Sequence, residues 1–231
     1  MVQQAFQEFL TYIKKPDPFI KEDKRKIFYN QLFPLVIISL CFSFVSVIFV
    51  SLLENLHLIN ELPDFKLFDL KEKKIWLFLM VTVFAPILEE LIFRYQLKNY
   101  YMSIVCYALL AIGLLYKIFT GLTLFISIGL VVIIGFMVII TFGNNHFKKH
   151  QLISKLFHSH FYLTAICFGI SHVYNYSNPF EYGFPIILLV LPQIFLGFIL
   201  GYVRMRFGLL NSMIMHSAYN FIPALALLAG Y

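Results

Sequence analysis

The chain has 231 residues, of which 60% are hydrophobic and only 13% are charged, and its mean hydropathy is +0.81. Soluble domains usually carry about 25% charged residues, so this composition excludes an ordinary water-soluble globule and predicts a protein that lies in lipid. The formal charge of +6 does not indicate a nucleic-acid partner, because the basic residues are scattered beside apolar runs, as they are in membrane proteins.

Apolar runs of about 20 residues, the length that crosses a bilayer, recur along the chain. Residues 1–30 mix apolar and basic side chains and predict an interfacial helix that is broken at Pro16 and Pro18. Residues 31–231 then form the membrane domain. We expect an all-α membrane protein, a polytopic bundle of about seven transmembrane helices with an N-terminal interfacial helix. The predicted spans are Leu32–Leu53, Ile75–Leu97, 101–120, 121–142, a fifth ending near Asn175, Phe184–Val203 and Leu209–Ala229.

The positions of the Lys and Arg residues predict the orientation of these spans. With the N-terminus in the cytoplasm, 13 of the 18 fall on the inner side, which agrees with the positive-inside rule. We therefore expect a multi-pass protein of the cell membrane, most simply the bacterial cytoplasmic membrane. A basic connection that contains histidines, from His146 to His158, is expected before the fifth span.

Two adjacent carboxylates, Glu89 and Glu90, lie deep in the second span, where burial of one ionisable group costs about 2.5–3.5 kcal/mol. Glu90 and Arg94 stand one helical turn apart and predict an ion pair that supports the structure. Glu89 points about 100° away from that face and is the better candidate for a general base. Pro86 cannot donate to the carbonyl of Thr82, which predicts a bend and a free acceptor one turn before Glu89.

Later spans carry further polar side chains: His172 closes the fifth, and His216 and Asn220 share one face of the seventh. Because polar groups in lipid find one another, we expect Glu89 to share a pocket with these three. A desolvated glutamate can act as a general base, and nearby donors can stabilise an oxyanion. Glu89, His172 and His216 could instead hold a divalent metal such as zinc, but we favour hydrolysis without a cofactor.

At these residues the sequence resembles the CAAX protease and bacteriocin-processing family, which includes the type II CAAX prenyl endopeptidases. The resemblance covers roughly residues 75–222 and rests on three motifs in separate spans: Glu89-Glu90 with Arg94, Phe168 with His172, and His216 with Asn220. It implies an intramembrane endopeptidase in which Glu89 and His172 activate water and His216 and Asn220 stabilise the oxyanion. Glu90 and Arg94 would maintain the site. The implied substrate is a membrane-embedded or lipidated peptide, CAAX-like or related to a bacteriocin. Two apparent spans inserted between the first two motifs depart from the family pattern.

Other functions remain open at this point. The protein could be a non-enzymatic immunity or scaffold protein, or a proton-coupled transporter in which Glu and His relay protons. A rhomboid-like serine protease using Ser171 and His216 would leave both glutamates unexplained. The predicted spans also contain a conflict, since at 1.5 Å per residue they separate Glu89 and His172 in depth by roughly 10 Å or more.

Overall fold

The computed structural model describes residues 1–23, 28–60, 63, 74–143, 145–183 and 185–229. Within these ranges the regular structure consists of helices and contains no strand. The predicted fold class is therefore confirmed: the chain is an all-α bundle of the membrane type. Most of the connection predicted between the first two spans lies outside the described residues.

Several helices are joined directly by short helical turns. Helix α3 continues through a π-helical turn at Met80–Phe84 into α4, and α4 is followed by a 3₁₀ turn at Tyr95–Lys98. A 3₁₀ turn at His172–Asn175 likewise follows α7. The helices are α1 (Val2–Lys14), α2 (Phe33–Asn55), α3 (Lys74–Leu79), α4 (Ala85–Phe93), α5 (Tyr100–Ile118), α6 (Gly121–Gly143), α7 (His146–Ser171), α8 (Pro185–Phe207) and α9 (Leu209–Ala229).

Four helical stretches of the described chain are long and apolar enough to cross a membrane. A shorter apolar helix, Tyr100–Tyr116, follows the second of them. The split of residues 101–142 into two helices near Gly121 agrees with the sequence-based prediction. The four stretches are Asn30–Asn55, Lys74–Lys98, Gly121–Gly143 and Pro185–Phe207.

The connection predicted from His146 to His158 is wrong, because these residues form the first half of α7. The helix begins where the side chain of Asn145 accepts a hydrogen bond from the backbone N–H of Lys148 at 3.0 Å, a typical N-cap. No glycine or proline interrupts the chain between this cap and Gly169. The helix therefore runs unbroken from its basic first turn to the histidine motif.

Helix α8 forms the centre of the bundle and packs against α1, α2, α7 and α9. Helix α1 lies on its outer side, where the ring of Phe9 packs edge-on against Phe195 and Tyr202, with ring centres 6.0 Å and 5.8 Å away. Phe9 is fully buried by these contacts. The apolar face of α1 is therefore covered by the protein itself.

Two glycines bring α7 and α8 into close contact. A Cβ atom on Gly169 would lie 2.6 Å from the backbone nitrogen of Ile194, and one on Gly197 would lie 2.6 Å from the carbonyl oxygen of Ala165. Only glycine permits this approach, and small residues commonly do so between membrane helices. The contact at Gly169 is three residues before His172, so it fixes the end of α7 that carries this histidine.

Candidate active site

Glu89 on α4 faces the imidazole rings of two other helices. Its Oε2 atom lies 3.8 Å from Nε2 of His172 and 3.7 Å from Nε2 of His216. These distances exceed those of a direct hydrogen bond, and Oε2 is buried without a hydrogen-bond partner among the described residues. The carboxylate thus offers an unused acceptor between two ring nitrogens.

The conflict in depth between Glu89 and His172 is therefore absent from the structure. Helix α7 begins at His146, and the 3₁₀ turn that follows it starts at His172 itself. The distance of 3.8 Å between their side chains shows that His172 and Glu89 lie at the same level of the bundle.

Glu90 is fully buried and binds three side chains. Its Oε1 atom lies 3.1 Å from Nδ1 of His216 and 3.6 Å from Nε of Arg94, and its Oε2 atom accepts a hydrogen bond from the hydroxyl of Ser212. An ionised carboxylate only accepts, so Nδ1 of His216 carries the proton in this bond. Nε2 of His216 is thereby directed at Glu89.

The predicted Glu90–Arg94 pair is present, but the sequence reasoning missed the role of Ser212. This residue stands four positions before His216 on α9, so both side chains point to the same side of the helix. That spacing was the signal that could have identified it.

Arg94 is also fully buried, and its side chain connects α4 with α7 and α8 through direct contacts. Its Nη2 atom donates a hydrogen bond to the carbonyl of Gly197 at 3.3 Å. Its guanidinium carbon lies 3.9 Å from the ring centre of Phe168, close enough for a cation–π interaction. Nε of Arg204 donates to the carbonyl of Arg94 at 3.2 Å, so both ends of the residue are fixed.

Phe168 lies between Arg94 and the two histidines. Its ring centre is 4.8 Å from that of His172 and 5.5 Å from that of His216, in both cases edge to face. The same ring packs against Phe93 at 5.5 Å. The sequence includes Phe168 in a motif but does not indicate its function. In the structure the Phe168 ring packs against both imidazoles.

His172 is oriented by a bond to the turn before it. Its Nδ1 atom lies 2.8 Å from the carbonyl oxygen of Phe168. Because a carbonyl can only accept, Nδ1 carries the proton in this bond. The other ring nitrogen, Nε2, is then the atom that faces Glu89.

Asn220 binds the backbone at the bend before α4. In the π-helical turn, the N–H of Ala85 bonds to the carbonyl of Met80, five residues earlier. The next donor in this pattern is Pro86, which has no N–H, so the carbonyl of Val81 accepts from Nδ2 of Asn220 instead, at 2.9 Å. The sequence-based prediction is a free carbonyl at Thr82, one residue later, because it takes the segment to be an α-helix. The π turn shifts the hydrogen-bond pairing by one residue.

A cavity of about 770 Å³ brings Glu89, His172, His216 and Asn220 together in its wall. Residues of α2, α3, α4, α8 and α9 and the turns beside them form the rest of the wall, and most of these residues are apolar. The structure thus unites the four residues that the sequence predicts to share a pocket.

Four hydroxyl-bearing residues that the sequence reasoning did not select also line this cavity: Ser43, Ser46, Tyr176 and Tyr219. The hydroxyls of Ser43 on α2 and Tyr219 on α9 lie 2.7 Å apart. No sequence spacing predicts a contact between α2 and α9, so the bond between Ser43 and Tyr219 is evident only from the fold.

Ser171, which a rhomboid-like mechanism would require, lies elsewhere. It is exposed, its hydroxyl donates to the carbonyl of Phe168 at 2.7 Å, and it is not part of the cavity wall. The structure gives the serine-protease alternative no support.

The structure is an all-α membrane bundle in which Glu89, His172 and His216 line one cavity and Glu90 lies buried behind His216, the arrangement of a membrane-embedded hydrolase site. Residues 71–222 match the family described as Type II CAAX prenyl endopeptidase Rce1-like, which is more than half of the chain. The chain belongs to this family, whose members are intramembrane proteases of the CAAX type that act on membrane-associated peptides. No curated protein and no solved structure matches the chain.

Proposed function

We propose that the chain is an endopeptidase that hydrolyses a peptide bond of a membrane-associated substrate with a water molecule activated by Glu89. One observation carries this proposal. The Oε2 atom of Glu89 is a buried acceptor without a hydrogen-bond partner among the described residues, and it faces Nε2 of both His172 and His216 at the wall of a largely apolar cavity.

The reaction needs one water molecule and two proton transfers. Glu89 removes a proton from the water, and the water oxygen bonds to the carbonyl carbon of the substrate, whose oxygen becomes an oxyanion. The carbon–nitrogen bond then breaks, and the leaving amine takes up the proton by way of Nε2 of His172. The products are a carboxylic acid and an amine, which at neutral pH exchange a proton to give a carboxylate and an ammonium group, and Glu89 returns to its ionised state.

His216 is the proposed donor to the oxyanion. Glu89 and Glu90 carry two negative charges and Arg94 one positive charge, so a protonated His216 makes the cluster neutral. Its Nδ1–H remains bound to Glu90, and its Nε2–H is available for the developing charge. The second N–H of the Asn220 amide can serve the same oxyanion, a type of contact whose loss costs about 10²–10³ in rate.

A metal ion is the other way to activate water at such a site. Glu89, His172 and His216 are the residues that could hold it. We propose the metal-free route, in which each step is assigned to the chain's own side chains, and we expect hydrolysis to be insensitive to a chelator.

The substrate proposed first is a prenylated CAAX-like peptide, and a bacteriocin-related peptide is the second choice. The apolar walls of the cavity suit a segment that enters from the membrane.

We also propose that the N-terminus faces the cytoplasm and that the protein resides in the cell membrane. Lys98, Arg204 and Arg206 support this orientation, because they meet at one end of the bundle around Glu22 and Asp23.

The test compares wild type, Glu89→Gln and Glu181→Gln in detergent with a fluorogenic prenylated CAAX peptide. Glu181 is an exposed glutamate outside the cavity wall, so its substitution is the matched control. We expect cleavage by wild type and Glu181→Gln, and no cleavage by Glu89→Gln at an unchanged melting temperature. Equal cleavage by all three proteins would refute the proposed role of Glu89.

A further inference from the structure

A second cavity, of about 870 Å³, lies between α5, α6 and α7. It shares no lining residue with the active-site cavity. Helix α6, which forms one side, has no buried residue along its described length. It therefore packs loosely against α5 and leaves the space between the helices open. Most of the wall is apolar and includes Ile104, Ala108, Val131, Ile134, Leu152 and Leu156.

Two lysines, Lys98 and Lys149, line this second cavity. Nζ of Lys98 is paired with Glu22 at 2.9 Å. Nζ of Lys149 lies 5.1 Å and 4.9 Å from the ring centres of Tyr100 and Tyr101, and no ion pair of the described residues includes it. Lys149 is thus a cation at the wall of an apolar space with its charge unpaired among the described residues.

Further along α7, a hydrogen-bonded group lines the second cavity. Nδ1 of His160 lies 2.6 Å from the hydroxyl of Tyr107, and its Nε2 atom lies 3.3 Å from the hydroxyl of Ser103. His160 follows Lys149 by eleven residues on α7, which is about 16 Å along the helix. This length is about half of the roughly 30 Å hydrocarbon thickness of a bilayer, which is the depth of one leaflet.

We propose that this second cavity binds an anionic phospholipid, with the headgroup at Lys149 and an acyl chain extending along α7 toward His160. The apolar walls accept the chain, the unpaired ammonium group attracts the phosphate, and the length suits one leaflet. Basic pockets between membrane helices are known to bind anionic headgroups. The proposal does not depend on the proposed protease mechanism, because the two cavities are separate.

Native mass spectrometry of the purified protein, mixed with equal amounts of phosphatidylglycerol and phosphatidylcholine, tests the headgroup contact. Wild type is expected to retain phosphatidylglycerol preferentially. Lys149→Glu should lower that retention about fivefold or more. Lys148→Glu makes the same charge change at an exposed neighbour outside the cavity wall and should leave retention nearly unchanged.

A second pair of variants tests the chain-binding space. A Cβ atom on Gly135, which lines the cavity, would lie 3.7 Å from Cγ2 of Ile104, whereas one on Gly129 would meet nothing within 4 Å. Gly135→Leu should therefore fill the cavity and displace the lipid, and Gly129→Leu should not. Equal retention of both lipids by wild type, or equal losses within either pair of variants, would overturn the proposal; melting curves confirm that each variant is folded.

Discussion

Nδ1 of His216 lies 3.1 Å from Oε1 of Glu90, and both side chains are buried almost completely. The opposite nitrogen of the same ring faces Glu89 at 3.7 Å. Two neighbouring glutamates therefore contact one imidazole from its two sides. Glu90 fixes the ring, whereas Glu89 also reaches the cavity, where its side chain is 29% exposed.

Substitution of the two glutamates should separate these tasks. Glu90→Gln removes the charge that pairs with buried Arg94 and His216. Breaking a buried pair costs about 3–5 kcal/mol, so we expect the melting temperature in detergent to fall by about 10 °C. Glu89→Gln should leave the melting temperature nearly unchanged. A larger loss in Glu89→Gln than in Glu90→Gln would contradict this division.

Phe168→Leu should reduce both stability and hydrolysis. The substitution removes a cation–π contact with Arg94, worth about 2 kcal/mol when desolvated, and the ring edges against His172 and His216. We expect kcat to fall at least about tenfold, as expected when catalytic groups lose their alignment. Phe157→Leu, at a buried phenylalanine of the same helix outside the active-site cavity, should lower the melting temperature but keep kcat. Similar kcat values for the two variants would argue against the alignment role.

Gly169→Ala should inactivate the protein by pushing α7 away from α8. The added methyl group would lie 2.6 Å from the backbone nitrogen of Ile194, and a backbone atom cannot move aside as a flexible side chain can. We expect a lower melting temperature and loss of peptide cleavage. Gly113→Ala is the control, since its Cβ would meet nothing within 4 Å, and alanine at this helical position should be neutral or stabilising. A stable, active Gly169→Ala protein would show that the two helices are not held so closely.

Asn220→Leu should leave the carbonyl of Val81 without its donor and cost about 1–3 kcal/mol. The additional change Pro86→Ala restores an N–H at the position from which the π-helical pattern would supply one. The double variant should therefore regain much of the lost melting temperature. Its hydrolysis should stay low if Asn220 also serves the oxyanion. Recovery of both properties would instead assign Asn220 to the support of the bend alone.

The sequence predicts the fold class and the four residues that share the cavity because charged and polar groups in an apolar chain are few. Glu89, His172, His216 and Asn220 stand out against their surroundings without any knowledge of the fold. The i, i+4 rule likewise predicts the contact between Glu90 and Arg94, which the structure contains.

Other features of the site depend on tertiary contacts and local pairing that hydropathy does not encode. The sequence predicts a loop for the first half of α7 because this half is basic, whereas the Asn145 cap and the lack of glycine and proline before Gly169 let the helix begin at His146. The π turn before Pro86 shifts the free carbonyl from Thr82 to Val81. The bond between Ser43 and Tyr219 joins residues 176 positions apart, which no local pattern predicts.

None of the described residues of helices α5 and α6 lines the active-site cavity. They connect the motif on α4 with the motif on α7, yet the three motifs meet through α4, α7, α8 and α9. Changes in the length or the surface of this hairpin can therefore leave the wall of the active-site cavity intact.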